Sequence, residues 1–358
     1  AFSLPDRPQG GSFRARKMER TKGGSTMLQD EILTLLRSGG GAYLSGEAMS
    51  RKLGVSRAAV WKAVDALRRE GYAISSGSNR GYRLESAPDT LRAGELSQAL
   101  AGRLVGSNLA CLETVDSTNN EIKRRAANGA PEGLAVLTDE QTGGRGRRGN
   151  TFQSLKGKGL YCSILLRPRL VLDLDKLSTL TAWVAVAASR AVEACCGLRP
   201  GIKWTNDLVL DGRKLCGILT ELELEAETGE PSAVIAGIGI NVGQTDGDFG
   251  PALSRVATSL EQELGSPVRR ADLAVCLLRA LDDMYAAFPA AKADYLAEYR
   301  ARCVTTGHEV YLVRGEERLP AFAESVDEDF ALLCRMPDGS RRRVTAGEVS
   351  VRGLMGYV

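Results

Sequence analysis

Residues 201–224 read GIKWTNDLVLDGRKLCGILTELEL. Two apolar runs, LVL (208–210) and KLCGILTELEL (214–224), are interrupted by polar groups at Trp204–Asp207 and Gly212–Lys214. Apolar runs this short between polar breaks read as strands joined by turns. The pattern continues on both sides, in LAVLT (134–138), GLYCSILL (159–166) and SAVIAGIGINVG (232–243). Between them 175–196 reads as a buried helix, and 267–300 as a helical stretch opened by Ser266 and Pro267. Strands mixed with helices in this way predict an α/β or α+β domain around a mixed sheet, from about 110 to 300.

Upstream, MLQDEILTLLRSGG (27–40) places Leu28, Ile32, Leu35 and Leu36 on one helical face. Ser45 caps a second short helix, and Ser56 caps a third, SRAAVWKAVDALRREG, which buries Val60, Val64 and Leu67. Two short helices around a Gly-containing turn, followed by the strand pair YAISSGSNRGYRL (72–84), make a helix-turn-helix with a wing. Residues 45–84 carry eight basic and three acidic side chains, a balance of +5. Ser56, Arg57, Trp61, Lys62 and Arg68 are the DNA-binding candidates. The last four lie off the apolar stripe, where phosphates reward charge and base edges reward arginine. The bland alternative is a helical domain with a solvated face.

Residues 1–26 lack periodicity and are expected to be a disordered extension; their charge is +4, so the body of the chain is slightly acidic. The stretch 87–96 reads as a linker. Downstream, 307–353 alternates with period two between turns at RGEE, DED and PDGS, which predicts a small antiparallel barrel. The run 181–196 is short and interrupted by Arg190 and Glu193, so no membrane span is expected. Eight scattered cysteines without a CxxC pair, and the lack of an apolar leader, point to buried thiols in a reducing, cytoplasmic setting.

Five polar clusters interrupt the central core: DSTN (116–119), QTGGRGRRG (141–149), the two in 201–221, and GIGINVG (237–243). Each has a plain reading alone. DSTN is a helix cap with Ser117 or Thr118 in the capping position, and GIGIN is a glycine-rich strand without dinucleotide spacing. The arginine loop suits a phosphorylated small molecule, a nucleic acid backbone or an exposed basic segment. As an ordered set, GRGRRG followed by an aromatic, KWxNDLxL and RKLxGILxE closely resemble the bifunctional biotin–protein ligase and biotin operon repressor family. The resemblance runs from about residue 28 to the end. The tryptophan usual after the arginine loop is here Phe152, and the proline usual in the KWxND motif is Thr205.

That resemblance implies an α+β protein. It would have a winged helix-turn-helix at 27–86, a mixed-sheet ligase domain of the biotin/lipoate ligase superfamily at 87–304 and an SH3-like barrel at 305–358. It implies activation of biotin by ATP to biotinyl-5'-adenylate, with Mg²⁺. Transfer to a lysine of a biotin carboxyl carrier protein or carboxylase domain follows. Repression of the biotin operon by an adenylate-bound homodimer on operator DNA is implied as well. By the same resemblance, Ser117, Thr118, Asn119, Gln141, Gly144, Arg145 and Lys214 are biotin-site residues. Arg147, Arg148, Phe152, Lys203, Asn206, Gly239 and Asn241 are nucleotide-site residues, and Lys214, Arg147 and Asp207 carry the chemistry. The roles of Asn206 and Asp207 stay open between nucleotide, metal and acceptor-lysine positioning, and no metal ligands can be read. Gly347 and Glu348 match a turn of the C-terminal domain, which either supports nucleotide and acceptor binding or acts as an inert cap.

Both nucleophiles of such a reaction arrive with the substrates. That fits a chain whose one histidine, His308, is remote from every cluster. Two other readings are weighed: a metabolite-sensing transcription factor without enzyme activity, and a module whose arginine loop grips nucleic acid. Lys214 beside the arginine loop has no use in a pure sensor. A nucleic-acid grip lacks interleaved aromatics apart from Phe152.

Overall fold

The computed structural model describes residues 20–77, 80–168, 174–225, 231–314, 316–345 and 350–353. The chain divides into two compact units, 1–88 and 89–358. The expected disorder of the first residues falls outside the described residues as far as 19. From Arg20 the backbone is already helical, upstream of the start at Met27 that periodicity marks.

In the first unit, α1 (Arg20–Ser38), α2 (Gly46–Leu53) and α3 (Arg57–Arg69) bury Ile32, Met49, Val60, Val64 and Leu67 together. The Ser45 and Ser56 hydroxyls accept from the amides of Ala48 at 3.0 Å and Ala59 at 3.2 Å, capping α2 and α3. Gly54, with φ 66°, supplies the left-handed turn between them. Strands β1 (Ala73–Gly77) and β2 (Gly81–Ser86) pair antiparallel as the wing.

The second unit begins with a correction to the linker reading. Leu91 and Leu96 are buried in the main core, the latter on α4 (Ala93–Ala99). Asp89 is fixed by a buried guanidinium. Arg270 Nε donates to Asp89 Oδ2 at 2.5 Å, its backbone amide to Asp89 Oδ1 at 2.8 Å, and its Nη1 to Asp139 Oδ1 at 2.7 Å.

A seven-stranded sheet follows. Its strands are β3 (Asn108–Val115), β4 (Leu134–Gln141), β5 (Gly159–Leu166), β6 (Gly201–Lys203), β7 (Asp207–Leu210), β8 (Arg213–Leu224) and β9 (Pro231–Asn241), in the order β3-β4-β5-β9-β8-β7-β6. Only β3 and β4 run parallel, so the sheet is mixed. The half-exposed β3 is too polar to stand out in the sequence. On one face, α5 (Thr118–Ala127) packs Ile122 against Val136, Leu165 and Ile235. The opposite face meets α6 (Leu174–Cys196) and α9 (Arg270–Ala287). Cover on both sides explains why every residue of β5 is buried and why its sequence runs apolar instead of alternating.

Short helices α7 (Asp246–Leu253) and α8 (Leu260–Leu264) precede α9, and α10 (Lys292–Arg302) follows it. The helical stretch thus opens at Arg270, not at Ser266, and breaks at Pro289, which cannot continue a helix. Among the described residues no helix is long and apolar enough to cross a membrane.

The C-terminal strands β10 (Glu309–Arg314), β11 (Glu317–Val326), β12 (Leu332–Arg335), β13 (Arg341–Val344) and β14 (Ser350–Gly353) do not form the expected SH3-like barrel. They make an open antiparallel sheet, ordered β13-β12-β11-β10-β14, with β13 and β14 at opposite edges. Period-two alternation reports one buried face, and an open sheet has that as well as a barrel. Closure depends on pairing between edges, which alternation does not encode. The buried face, with Leu312, Ala323, Leu332 and Val344, joins the core of the second unit. Gly347 and Glu348 lie outside the described residues.

Candidate functional site

The pocket lies on the face of the sheet that carries α5, and glycines open it. Gly237 and Gly239 are two apart on β9, so they face the same way. A Cβ at Gly237 would sit 2.2 Å from Asn119 Oδ1, and one at Gly239 would sit 2.6 Å from the Phe152 ring. Gly217, the partner of Gly239 on β8, has the Phe152 ring and Lys214 Nζ at 3.2 Å from such a Cβ. The GIGIN run is therefore a floor on which Asn119 and Phe152 rest. The cavity above it has a volume of about 580 Å³.

At one end the walls are polar and closed. Ser117, Thr118 and Asn119, at the start of α5, are nearly fully buried. Ser117 occupies the N-cap position without a side-chain cap bond. Gln141, at the end of β4, takes that part instead. Its Oε1 accepts from the Thr118 amide at 2.9 Å and its hydroxyl at 3.1 Å, and its Nε2 donates to Ser154 Oγ at 2.8 Å. Ser163 Oγ on β5 lies 2.6 Å from both Thr118 Oγ1 and Asn119 Oδ1. Asn119 Nδ2 donates to Glu221 Oε2 at 2.8 Å and more weakly to the Leu219 carbonyl at 3.3 Å. Asn119 thus lines the pocket with both ends of its amide already engaged.

Cations gather at the other end. Lys214 Nζ meets Asp207 Oδ1 at 2.9 Å. Arg147 Nη1 donates to Asn206 Oδ1 at 3.0 Å, and Asn206 Nδ2 is held by the Ile218 carbonyl at 2.9 Å. Burial, then the neighbouring Arg148, push the Arg147 guanidinium below its ordinary value, and Asp207 only partly offsets them. This charge is held at a cost that an incoming anion relieves. Lys203 is buried and lines the same cavity. Arg145 lies on the wall near α5, donating to Asn120 Oδ1 at 3.1 Å and pairing with Glu221 Oε1 at 3.1 Å.

The structure thus brings together in one cavity the candidates Ser117, Thr118, Asn119, Gln141, Arg145 and Lys214 with Arg147, Arg148, Phe152, Lys203, Asn206, Asp207, Gly239 and Asn241. Gly144 stands apart. It lies behind the lining, where a Cβ would be 2.2 Å from the Phe152 carbonyl, so its need for glycine is the return of its own loop. The Asn241 side chain ties backbone together, donating to the Thr258 carbonyl at 2.9 Å. Arg148 adopts φ 56° and reaches the C-terminal sheet, where Nη1 donates to the Val313 carbonyl at 3.2 Å.

Two residues, Ser163 and Glu221, were not among the site candidates, although Glu221 closes the RKLxGILxE motif. Ser163 is a fully buried hydroxyl in an apolar strand, and a lone polar residue in such a run is a signal of pairing. Glu221 follows Gly217 by four on β8 and so shares the pocket face. The lining contains one carboxylate, Asp207, and the described residues contain no group of three His, Cys, Asp or Glu able to hold a metal ion.

In the first unit, Ser56, Arg57, Trp61 and Lys62 are exposed on α3, and Trp61 keeps 55% of its surface accessible. Arg68 is different. Its guanidinium donates to the Ile74 carbonyl at 2.6 and 2.8 Å and to Ser76 Oγ at 2.6 Å, clamping α3 to the wing.

Residues 111–241 match the Biotin/lipoate A/B protein ligase family, and residues 29–83 match an HTH domain. The Bifunctional ligase/repressor BirA of Bacillus subtilis (strain 168) is 38% identical over 258 residues, which are 72% of this chain and 78% of that protein. The Bifunctional ligase/repressor BirA of Escherichia coli (strain K12) is 29% identical over 334 residues, 90% of this chain and 96% of that protein. Among solved structures, a biotin protein ligase from Aquifex aeolicus in complex with biotin and ATP is 28% identical. That match covers 69% of this chain and 99% of that one, with a TM-score of 0.59.

Proposed function

Because the chain belongs to the family of bifunctional biotin ligases and operon repressors, we propose that the cavity on the glycine floor is where biotin meets ATP. The protein is an ATP-dependent biotin–protein ligase and a DNA-binding transcriptional repressor. The observation that carries the site assignment is the meeting of the motif residues around one cavity, polar at one end and cationic at the other.

Biotin's carboxylate oxygen attacks the α-phosphorus of ATP, the bond to the bridging oxygen breaks, and pyrophosphate leaves. An acceptor lysine amine then attacks the acyl carbon of the adenylate. AMP leaves and the amine gives up a proton. Both steps need positioning and charge stabilisation more than a protein nucleophile. The ureido head belongs at the polar end, beside Ser117, Thr118 and Gln141. There the ureido group, itself polar, would be buried beside side chains able to bond it. The carboxylate and phosphate belong near Lys214, Arg145 and Arg147. Lys214 offsets charge developing on both, and Asp207, at 2.9 Å, orients the ammonium.

Lys203, Arg148, Asn206 and the backbone of Gly239 to Asn241 are left for the nucleotide. Asp207, the carboxylate in the lining, could hold a Mg²⁺ ion, which would neutralise charge on the triphosphate. The acceptor is a biotin carboxyl carrier protein or carboxylase domain. On operator DNA the protein acts as a homodimer carrying the adenylate, with Arg57, Trp61 and Lys62 toward the groove. Its free cysteines suit a reducing cytoplasm.

Biotin-dependent exchange between ATP and labelled pyrophosphate tests this reading, with lipoate and octanoate as competitors. Exchange supported by biotin alone is expected. Equal support from lipoate would overturn the substrate assignment.

A further inference from the structure

Glu221 sits where three elements converge. From β8 its carboxylate accepts from Asn119 Nδ2 at 2.8 Å and from Lys123 Nζ at 3.0 Å, both on α5. It also pairs with Arg145 of the glycine–arginine loop at 3.1 Å. Asn119 cannot retreat from this contact, because it rests on Gly237 and is held at Oδ1 by Ser163. Arg145 is more exposed, at 44% of its side chain, and belongs to a loop rich in glycine. Glu221 thus ties a fixed residue and an adjustable one to the same pair of oxygens.

We propose that Glu221 is a positioning residue for biotin. It holds the Arg145 guanidinium against the α5–β8 wall, in place for the biotin carboxylate. This rests on the biotin-ligase reading above. Without the carboxylate, Arg145 loses its anionic partner on the wall, and its loop must order when the substrate arrives. That ordering is subtracted from binding, not from the chemical step. The reacting groups at Lys214 keep their own partner, Asp207, so the turnover rate is insulated.

The test is steady-state pyrophosphate exchange with the full chain and biotin as the varied substrate. Glu221→Gln preserves shape and an acceptor for Asn119 while removing the charge that Arg145 needs. The expected result is a biotin KM raised roughly tenfold with kcat within about twofold. Glu221→Asp, which restores the charge on a shorter stem, should recover part of the loss. It also serves as the test if the Gln variant does not fold. In an Arg145→Ala background, Glu221→Gln should add little further. An unchanged KM in folded Glu221→Gln (in Glu221→Asp where the Gln variant does not fold), a loss confined to kcat, or an undiminished effect in the Arg145→Ala background would each overturn the proposal. No exchange by the wild type would instead overturn the ligase reading beneath it.

Discussion

The two ends of the pocket are built on opposite principles. At the polar end, Thr118, Asn119, Gln141 and Ser163 are buried or half-buried and already bonded to one another. At the cationic end, Lys214, Arg147 and Lys203 gather around one lining carboxylate. The first end is rigid, because its buried polar groups already hold one another in place. The second gathers positive charge, which burial and the neighbouring Arg148 disfavour at Arg147. Under the proposed function the first end recognises biotin and the second serves the chemistry, with Gly237 beneath the first and Gly239 beneath the second.

The largest effect is expected at the cationic end. Lys214→Ala should fold normally yet lose pyrophosphate exchange by roughly 10²–10³-fold, the cost of removing one charge stabiliser from a transition state. A well-folded variant with near-normal exchange would break the division of labour. Next comes Gly237→Ala, whose methyl would fall 2.2 Å from Asn119 Oδ1. Overpacking of this kind costs about 1–3 kcal/mol. The expected signature is a biotin KM raised roughly tenfold with little change in the KM for ATP, since about 1.4 kcal/mol is a factor of ten. Equal effects on both substrates would show that the two ends are not separate.

Ser163→Ala should act mainly on stability. It removes a partner from Thr118 and Asn119 and should lower unfolding free energy by about 1–3 kcal/mol, read from urea midpoints. The smallest effect concerns pH. Burial pushes the Glu221 carboxyl up, but bonds from Asn119 and Lys123 and the charges of Lys123 and Arg145 outweigh it, so it lies below its ordinary 4.5. Its contribution is complete above that value and is lost as pH falls through the lower folded one. The stability gap between wild type and Glu221→Gln should therefore be constant near neutrality and narrow below pH 4.5. A gap that narrows on raising the pH would contradict the electrostatic account of the polar end.

How much of this was legible in the sequence depended on the kind of signal. Helices with one apolar face and a serine cap, such as α2 and α3, announced themselves through spacing alone. The runs of β5 and β9 marked strands of a mixed sheet through their apolar content. The ordered motifs brought the site residues into view, but not their tasks. Arg68 looked like a groove-facing cation, and only the wing's Ile74 carbonyl and Ser76 hydroxyl show where its hydrogen bonds go. Gly144 entered the reading as a ligand contact, and the structure adds a packing requirement, the Phe152 carbonyl against its Cα. The C-terminal sheet was visible as alternation, whereas its open edges were not, because pairing between distant strands leaves no local trace.

Arg270 has a practical consequence for anyone wishing to divide the molecule. Its guanidinium is 3% exposed and draws its two counter-charges from Asp89 and Asp139. Asp89 is the first residue of the second unit. A catalytic fragment beginning at residue 89 or earlier keeps both anions. One beginning at Ala93, where the first helix of that unit starts, leaves Asp139 as the guanidinium's remaining carboxylate. Asp89 is 38% exposed and Arg270 keeps Asp139, so the loss is smaller than the about 3–5 kcal/mol of breaking a fully buried pair. Four residues that look like tether in the sequence thus carry an anion and a core side chain, Leu91, that an isolated ligase fragment should keep.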